Sequence, residues 1–205
     1  MLKIWGRANS SNVKKVMWLC EELGVPYERI DAGGAFGVTG TPEYRAMNPN
    51  GLVPVIQDGD LTLWESNTIL RYIAVTRGGG RFWHDDPGRR ALVEMWMDWQ
   101  LSLARTFTDV IWGLVRTPPE KRDMVAIDKA VKICTDLLAI ADAKLAAQPY
   151  LSGDDFGLAD IALGPLAYAW MEIQMERPSM PHLEAWYARL QARPAWAKVV
   201  AIGLS

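Results

Sequence analysis

The sequence predicts a chain in two parts. The first is an α/β half with a mixed sheet, in the order β-α-β-α-β-β-α, and the second is an all-helical half. Three observations carry this. Residues 1–76 alternate short strand-like runs with segments of helical period. Residues 77–88, RGGGRFWHDDPG, form a Gly-rich break of the kind that separates units. Beyond that break the apolar residues recur only at helical spacing. The expected domains are therefore residues 1–80 and 87–205.

Leu2–Trp5 reads as the first strand. Val13, Val16, Met17 and Cys20 then fall at i, i+3, i+4 and i+7, the signature of an amphipathic helix. Ser10, Ser11 and Asn12, directly before it, are all good capping residues. Gly24 closes the helix and Pro26 follows. Tyr27–Asp31 is a second strand, the Gly-rich stretch Ala32–Gly40 a loop, and Pro42–Met47 a short helical turn. Asn50-Gly51 marks a turn. Val53–Gln57 and Leu61–Trp64 flank Asp58-Gly59-Asp60 and read as a hairpin, with Pro54 inside its first strand, where a residue without an N–H needs a reason. Ile69, Leu70 and Ile73 start a helix after Glu65-Ser66.

The second half predicts five helices: residues 89–115, 120–147, 158–175, 182–192 and 195–202. In the first, Trp96, Trp99, Leu103, Phe107, Val110 and Leu114 are spaced for a buried stripe. Pro118-Pro119 breaks the chain after it. The third is the most apolar and is expected at the centre.

Composition excludes several functions. Lys+Arg number 22 against 24 Asp+Glu, so no basic excess is available to hold a phosphate backbone, and no nucleic-acid partner is expected. Half the residues are apolar, which excludes intrinsic disorder. Cys20 and Cys134 make no disulfide framework and fit a reducing compartment. The N-terminus has no apolar leader, and the longest apolar stretch, Ile161–Met171, is about half of the ~20 residues a membrane helix needs and is broken by Gly164 and Pro165. A soluble cytoplasmic protein without a membrane partner is expected. His84 and His182 show no metal-ligand spacing, so no metal site is expected.

Four segments together carry a family resemblance. NPNGLVPVI (48–56), a hairpin, and then WESNTILRYI (64–73) resemble the glutathione S-transferase superfamily. RANSSNVKKVMWLCEELGVPYE (7–28) resembles the first strand–helix unit of its bacterial, theta- and nu-like serine-type branches. FGLADIALGPLAYAW (156–170) is similar to the family's central helix, and RLQARPAW (189–196) to its C-terminal segment. The resemblance implies the glutathione S-transferase fold, a thioredoxin-like domain followed by a helical bundle. It also implies glutathione as co-substrate, a hydrophobic electrophilic small molecule as second substrate, and a homodimer.

The resemblance assigns roles. Ser66 and its backbone N–H, at a helix N-terminus, would hold the γ-glutamyl carboxylate, and Glu65 the ammonium. Pro54 would be cis, which turns Val53 to pair its N–H and C=O with the cysteinyl backbone like an added strand. Ser10 would donate to the sulfur, with Ser11 and Asn12 as alternatives. A free thiol has a pKa of about 8.5. Lowering it by two units requires roughly 2.7 kcal/mol. One hydrogen bond to a charged group supplies ~1.5–3 kcal/mol, so a single hydroxyl aided by the helix dipole suffices.

The sequence also departs from relatives. No Tyr lies in the first-strand loop and no Cys stands at position 10, which argues against the tyrosine- and cysteine-type chemistries. Leu52 replaces a basic residue that many relatives place before the Val-Pro pair, and Arg7 is a candidate substitute. Gly157 stands where relatives carry a Ser or Thr cap, with Asp160 as its structural partner. Asp98 and Gln100 either reach across a dimer or form a solvated face; Trp99, Leu103, Phe107 and Trp112 either line the second-substrate pocket or belong to the core. Two alternatives to conjugation remain open at this stage: disulfide reduction, dehalogenation or isomerisation by the same thiolate, and a non-catalytic binding protein on this fold.

Overall fold

The computed structural model describes residues 1–204, which form two compact units. The first contains Met1–Pro87 together with Pro194–Gly203, and the second Gly88–Arg193. The first runs β1 (Leu2–Trp5), α1 (Ser11–Leu23), β2 (Tyr27–Ile30), α2 (Pro42–Met47), β3 (Val55–Asp58), β4 (Leu61–Trp64) and α3 (Ser66–Arg77). The second contains α4 (Pro87–Ile111), α5 (Met124–Leu145), α6 (Leu158–Glu172) and α7 (Pro181–Gln191). The last helix, α8 (Pro194–Val199), belongs with the first unit, which differs from the expected helical domain reaching residue 205. The reason is packing: the Trp196 ring meets the Trp18 ring edge-on at 5.1 Å, and Lys14 Nζ donates to Gly203 O at 2.7 Å. Among the described residues, no helix is long and apolar enough to cross a membrane.

The sheet has strand order β2-β1-β3-β4. β1 pairs parallel to β2 and antiparallel to β3, with Ile4 opposite Ile56, so the sheet is mixed as expected. β3 and β4 form the predicted hairpin. β3 begins at Val55 rather than Val53, so Pro54 sits ahead of the strand, where its missing N–H costs no ladder bond. α1 ends as predicted on Gly24, whose left-handed φ of 66° lets its N–H reach back to the last carbonyls. The helix is buried on more than one face, because α3 and α8 both lie against it. Every residue from Val13 to Cys20 is buried, Lys14 and Lys15 included.

In the second unit, α6 is the buried centre, with Leu158–Trp170 all shielded from solvent. Its first turn explains the departure at Gly157. A Cβ there would lie 2.7 Å from Ser152 Cβ and Oγ. Ser152 Oγ instead accepts the Ala159 N–H at 3.1 Å, so the capping oxygen comes from the preceding loop. Asp160 does the rest. Its Oδ1 accepts from Leu151 N and Trp186 Nε1, both at 2.8 Å, and its Oδ2 from Gly157 N at 3.0 Å and Ser152 N at 3.3 Å. Burial pushes its carboxyl pKa up while these donors pull it down. The predicted α4 pattern ends differently. The helix stays α-helical to Ile111 and widens to a π-turn over Trp112–Arg116. Leu103, Phe107 and Val110 are buried as core. Gln100 is fully buried rather than solvated, whereas Asp98 is exposed.

Candidate functional site

Three stretches of the first unit converge on one pocket: Asn12 at the start of α1, the loop Asn48–Pro54, and Glu65-Ser66 at the start of α3. Gly6 permits the approach. A Cβ on it would stand 2.4 Å from Val13 Cγ2 and 3.2 Å from Val53 Cβ, so a larger residue would push α1 and the loop apart.

The loop is fixed by Asn48, itself buried. Its Oδ1 accepts from Asn50 N at 3.0 Å and Asn50 Nδ2 at 3.1 Å, and its Nδ2 donates to Leu52 O at 2.9 Å. Tyr44 Oη donates to the same carbonyl at 2.8 Å, which fills both lone pairs of Leu52 O. Tyr44 is anchored by packing: it belongs to a buried cluster with Ala32 and Val55, and burial raises its pKa to about 12. The Leu52 side chain is mostly exposed. The Val53–Pro54 peptide is cis, as the motif implied. Neither the N–H nor the C=O of Val53 enters a backbone hydrogen bond among the described residues, so both are available to an extended ligand.

Glu65 is the N-cap of α3 and holds a φ of 71°, uncommon for a residue with a side chain. Such a backbone costs of order 1–3 kcal/mol and persists only where neighbours hold it. Here it turns the chain from β4 into α3 and leaves Glu65 and Ser66 lining the pocket. Ser66 Oγ donates to Asn12 Oδ1 at 3.2 Å and lies 3.5 Å from Lys15 Nζ. Lys15 Nζ also donates to Asn67 Oδ1 at 3.4 Å. Burial lowers the Lys15 pKa to about 7, against the opposing pull of the Glu65 charge.

Of the seven residues the sequence singled out, Asn12, Val53, Pro54, Glu65 and Ser66 line this pocket together. Ser10 and Ser11 are not among its lining residues. Ser10 is the N-cap of α1, but by its backbone alone: its carbonyl accepts the Lys14 N–H at 2.9 Å, and its side chain makes no capping hydrogen bond. Sequence reasoning overlooked Asn48, Asn50 and Lys15. The signal for the first two was the amide-rich run NPNG; for Lys15 it was only a charge beside the apolar stripe, which reads as solvated. Arg7 lies along Gly34, where a Cβ would meet its Cδ at 3.1 Å. Cys20 is no nucleophile: burial raises its thiol pKa to about 12.

Comparison with known proteins shows the family. Residues 1–75 match the glutathione S-transferase N-terminal domain and residues 103–194 the C-terminal domain. The chain is 49% identical to "Glutathione S-transferase GstB" of Escherichia coli (strain K12), over 100% of both chains. It is 32% identical to "Glutathione S-transferase 4" of Zea mays, covering 97% of this chain and 91% of that protein. Among solved structures it is similar to the theta class glutathione S-transferase from the citrus canker pathogen Xanthomonas axonopodis pv. citri with glutathione bound. The TM-score there is 0.96 and the identity 53%, with 100% of this chain and 99% of that one covered. By these matches over both domains and the full chain, the chain belongs to the glutathione S-transferase family.

Proposed function

We propose that the chain is a glutathione transferase that binds glutathione in the pocket of its first unit, stabilises the thiolate, and directs it onto an electrophilic small molecule to give a thioether. The observation that carries this is the convergence of Asn12, Val53, Pro54, Glu65 and Ser66, from three separate stretches, on a single pocket. The N-terminus of α3 presents backbone N–H groups and partial positive charge to the γ-glutamyl carboxylate, with the Ser66 hydroxyl beside them. Glu65 receives the ammonium. Val53 offers the open N–H and C=O that an extended cysteinyl backbone would pair with.

Ser10 is assigned to the sulfur. The Ser10 side chain makes no capping hydrogen bond, which supports its hydroxyl as the donor, with Ser11 and the Asn12 NH₂ as the alternatives. Its position at the start of α1 adds the helix dipole to its hydroxyl, and the two together reach the roughly 2.7 kcal/mol that a two-unit pKa drop requires. Catalysis then rests on thiolate formation and proximity. Leu92 and Met95 form an exposed apolar pair on α4, which supports a homodimer. Two free, buried cysteines support a cytoplasmic setting.

The test is a calorimetric titration of glutathione into wild type and Ser10→Ala at several pH values, with proton release measured. Wild type is expected to bind and release protons near neutral pH, and Ser10→Ala to bind with far less release. Unchanged release in the variant moves the role to Ser11 or Asn12. Absence of binding in wild type overturns the reading. Oxidised glutathione in place of a thioether as product would assign disulfide reduction instead.

A further inference from the structure

We propose that Lys15 is a positioning residue of the glutathione site: its buried ammonium orients the Ser66 hydroxyl and supplies the positive charge that a ligand carboxylate at the start of α3 is drawn to. This rests on the reading that Ser66 receives the γ-glutamyl carboxylate.

Lys15 is fully buried. A buried ammonium carries a desolvation cost that an apolar side chain of similar length, such as Met, would avoid. Its Nζ lies 3.5 Å from Ser66 Oγ and 3.4 Å from Asn67 Oδ1, so it is directed at the first two residues of α3. A helix N-terminus is the positive end of the dipole, where a cation has the wrong sign. Glu65 acts on Lys15 as an opposing charge, yet Glu65 also lines the pocket and is the group that would meet the ligand's ammonium. Desolvation and dipole both favour a second negative charge at this point, and a carboxylate at Ser66 provides it.

The hydrogen bonds also run in one direction. An ammonium can only donate, so Ser66 Oγ accepts from Lys15 and turns its single proton outward. In this structure that proton goes to Asn12 Oδ1, 3.2 Å away, which leaves the Asn12 NH₂ as the donor of that side chain. When a carboxylate enters, the same proton can swing to it while the bond from Lys15 persists. Lys15 therefore keeps the hydroxyl a donor toward the pocket in both states.

The test compares wild type, Lys15→Met and Lys15→Arg for binding of two probes by calorimetry. One is S-methylglutathione, which has no thiol to ionise. The other is the same S-methylated tripeptide with γ-aminobutyryl in place of γ-glutamyl, which keeps the ammonium and lacks only the α-carboxylate. Lys15→Met is expected to weaken S-methylglutathione by about tenfold to a hundredfold, the range of one hydrogen bond to a charged group. The weaker second probe should be held by Lys15→Met about as well as by wild type, and Lys15→Arg should recover binding of the first. At saturating glutathione, kcat should stay within about twofold while KM rises, since the lost contact is the same in ground and transition states. Equal loss for both probes makes Lys15 a packing residue and overturns the proposal. So does unchanged binding of the first probe. If Lys15→Met fails to fold, Lys15→Arg decides: a folded Arg variant that does not bind S-methylglutathione also overturns it. Failure of wild type to bind S-methylglutathione overturns the site reading itself.

Discussion

Replacing Asp160 by Ala strips one carboxylate from four donors. Leu151 N, Gly157 N and Trp186 Nε1 are buried, and Ser152 N is partly so. A buried donor left unsatisfied costs about 1–3 kcal/mol. Removing the buried carboxylate returns its own desolvation cost, so the three buried donors set a net loss of about 4 kcal/mol. That is a large fraction of the ~5–15 kcal/mol that holds a domain together. Asp160→Asn makes a graded comparison. Its oxygen can keep Leu151 N and Trp186 Nε1, but its NH₂ then faces Gly157 N and Ser152 N, donor against donor, for a loss of about 2 kcal/mol. The assay is urea unfolding followed by far-ultraviolet circular dichroism. With a slope of about 2 kcal/mol per molar urea, the midpoint should fall by about 2 M for Ala and about 1 M for Asn. An Ala variant less than about 1 kcal/mol below wild type would refute the view that Asp160 organises the start of α6.

Further outcomes concern Gly157, the two buried lysines of α1 and Cys20. Gly157→Ser is expected to destabilise by about 1–3 kcal/mol, because its Cβ meets Ser152 at 2.7 Å; Gly157→Ser combined with Ser152→Gly should recover most of the loss, as a thermal-shift double-mutant cycle would show. Burial holds Lys15 near 7 and Lys14 near 8, against an ordinary lysine value of 10.5. Between those values the unfolded chain binds more protons than the native one, so urea-unfolding free energy should rise from about pH 7 toward pH 9, and less steeply in Lys15→Met. The Cys20 thiol, raised to about 12 and buried, should react with a thiol reagent at neutral pH only as fast as the protein opens, and unfolding in urea should release it at once.

Much of this was legible in the sequence where one residue type has one physical use. Gly24 after an apolar stripe, the Asp58-Gly59-Asp60 turn and Pro42 at the start of a short helix each stand where the sequence placed them. Glu65-Ser66 was readable as a helix start, and it lines one pocket with Asn12 and Val53. What stayed hidden depends on contacts distant in sequence. Nothing around Lys15 distinguishes it from a solvated lysine until α3 and α8 close over α1. Gln100 reads as surface by type and is fully buried. Gly157 looked like a missing cap until Ser152, five positions earlier, was seen to supply the oxygen.

The first unit is assembled from pieces of chain more than a hundred residues apart. All four strands and every residue lining the pocket precede Pro87, yet one side of α1 is closed only by α8, through Trp196 on Trp18. During synthesis, the ribosome must therefore deliver the entire helical unit before the pocket-bearing unit can bury its central helix. A fragment ending at Pro87 would hold the complete set of pocket residues and still present a bare tryptophan to solvent, an invitation to aggregation rather than a minimal binding module.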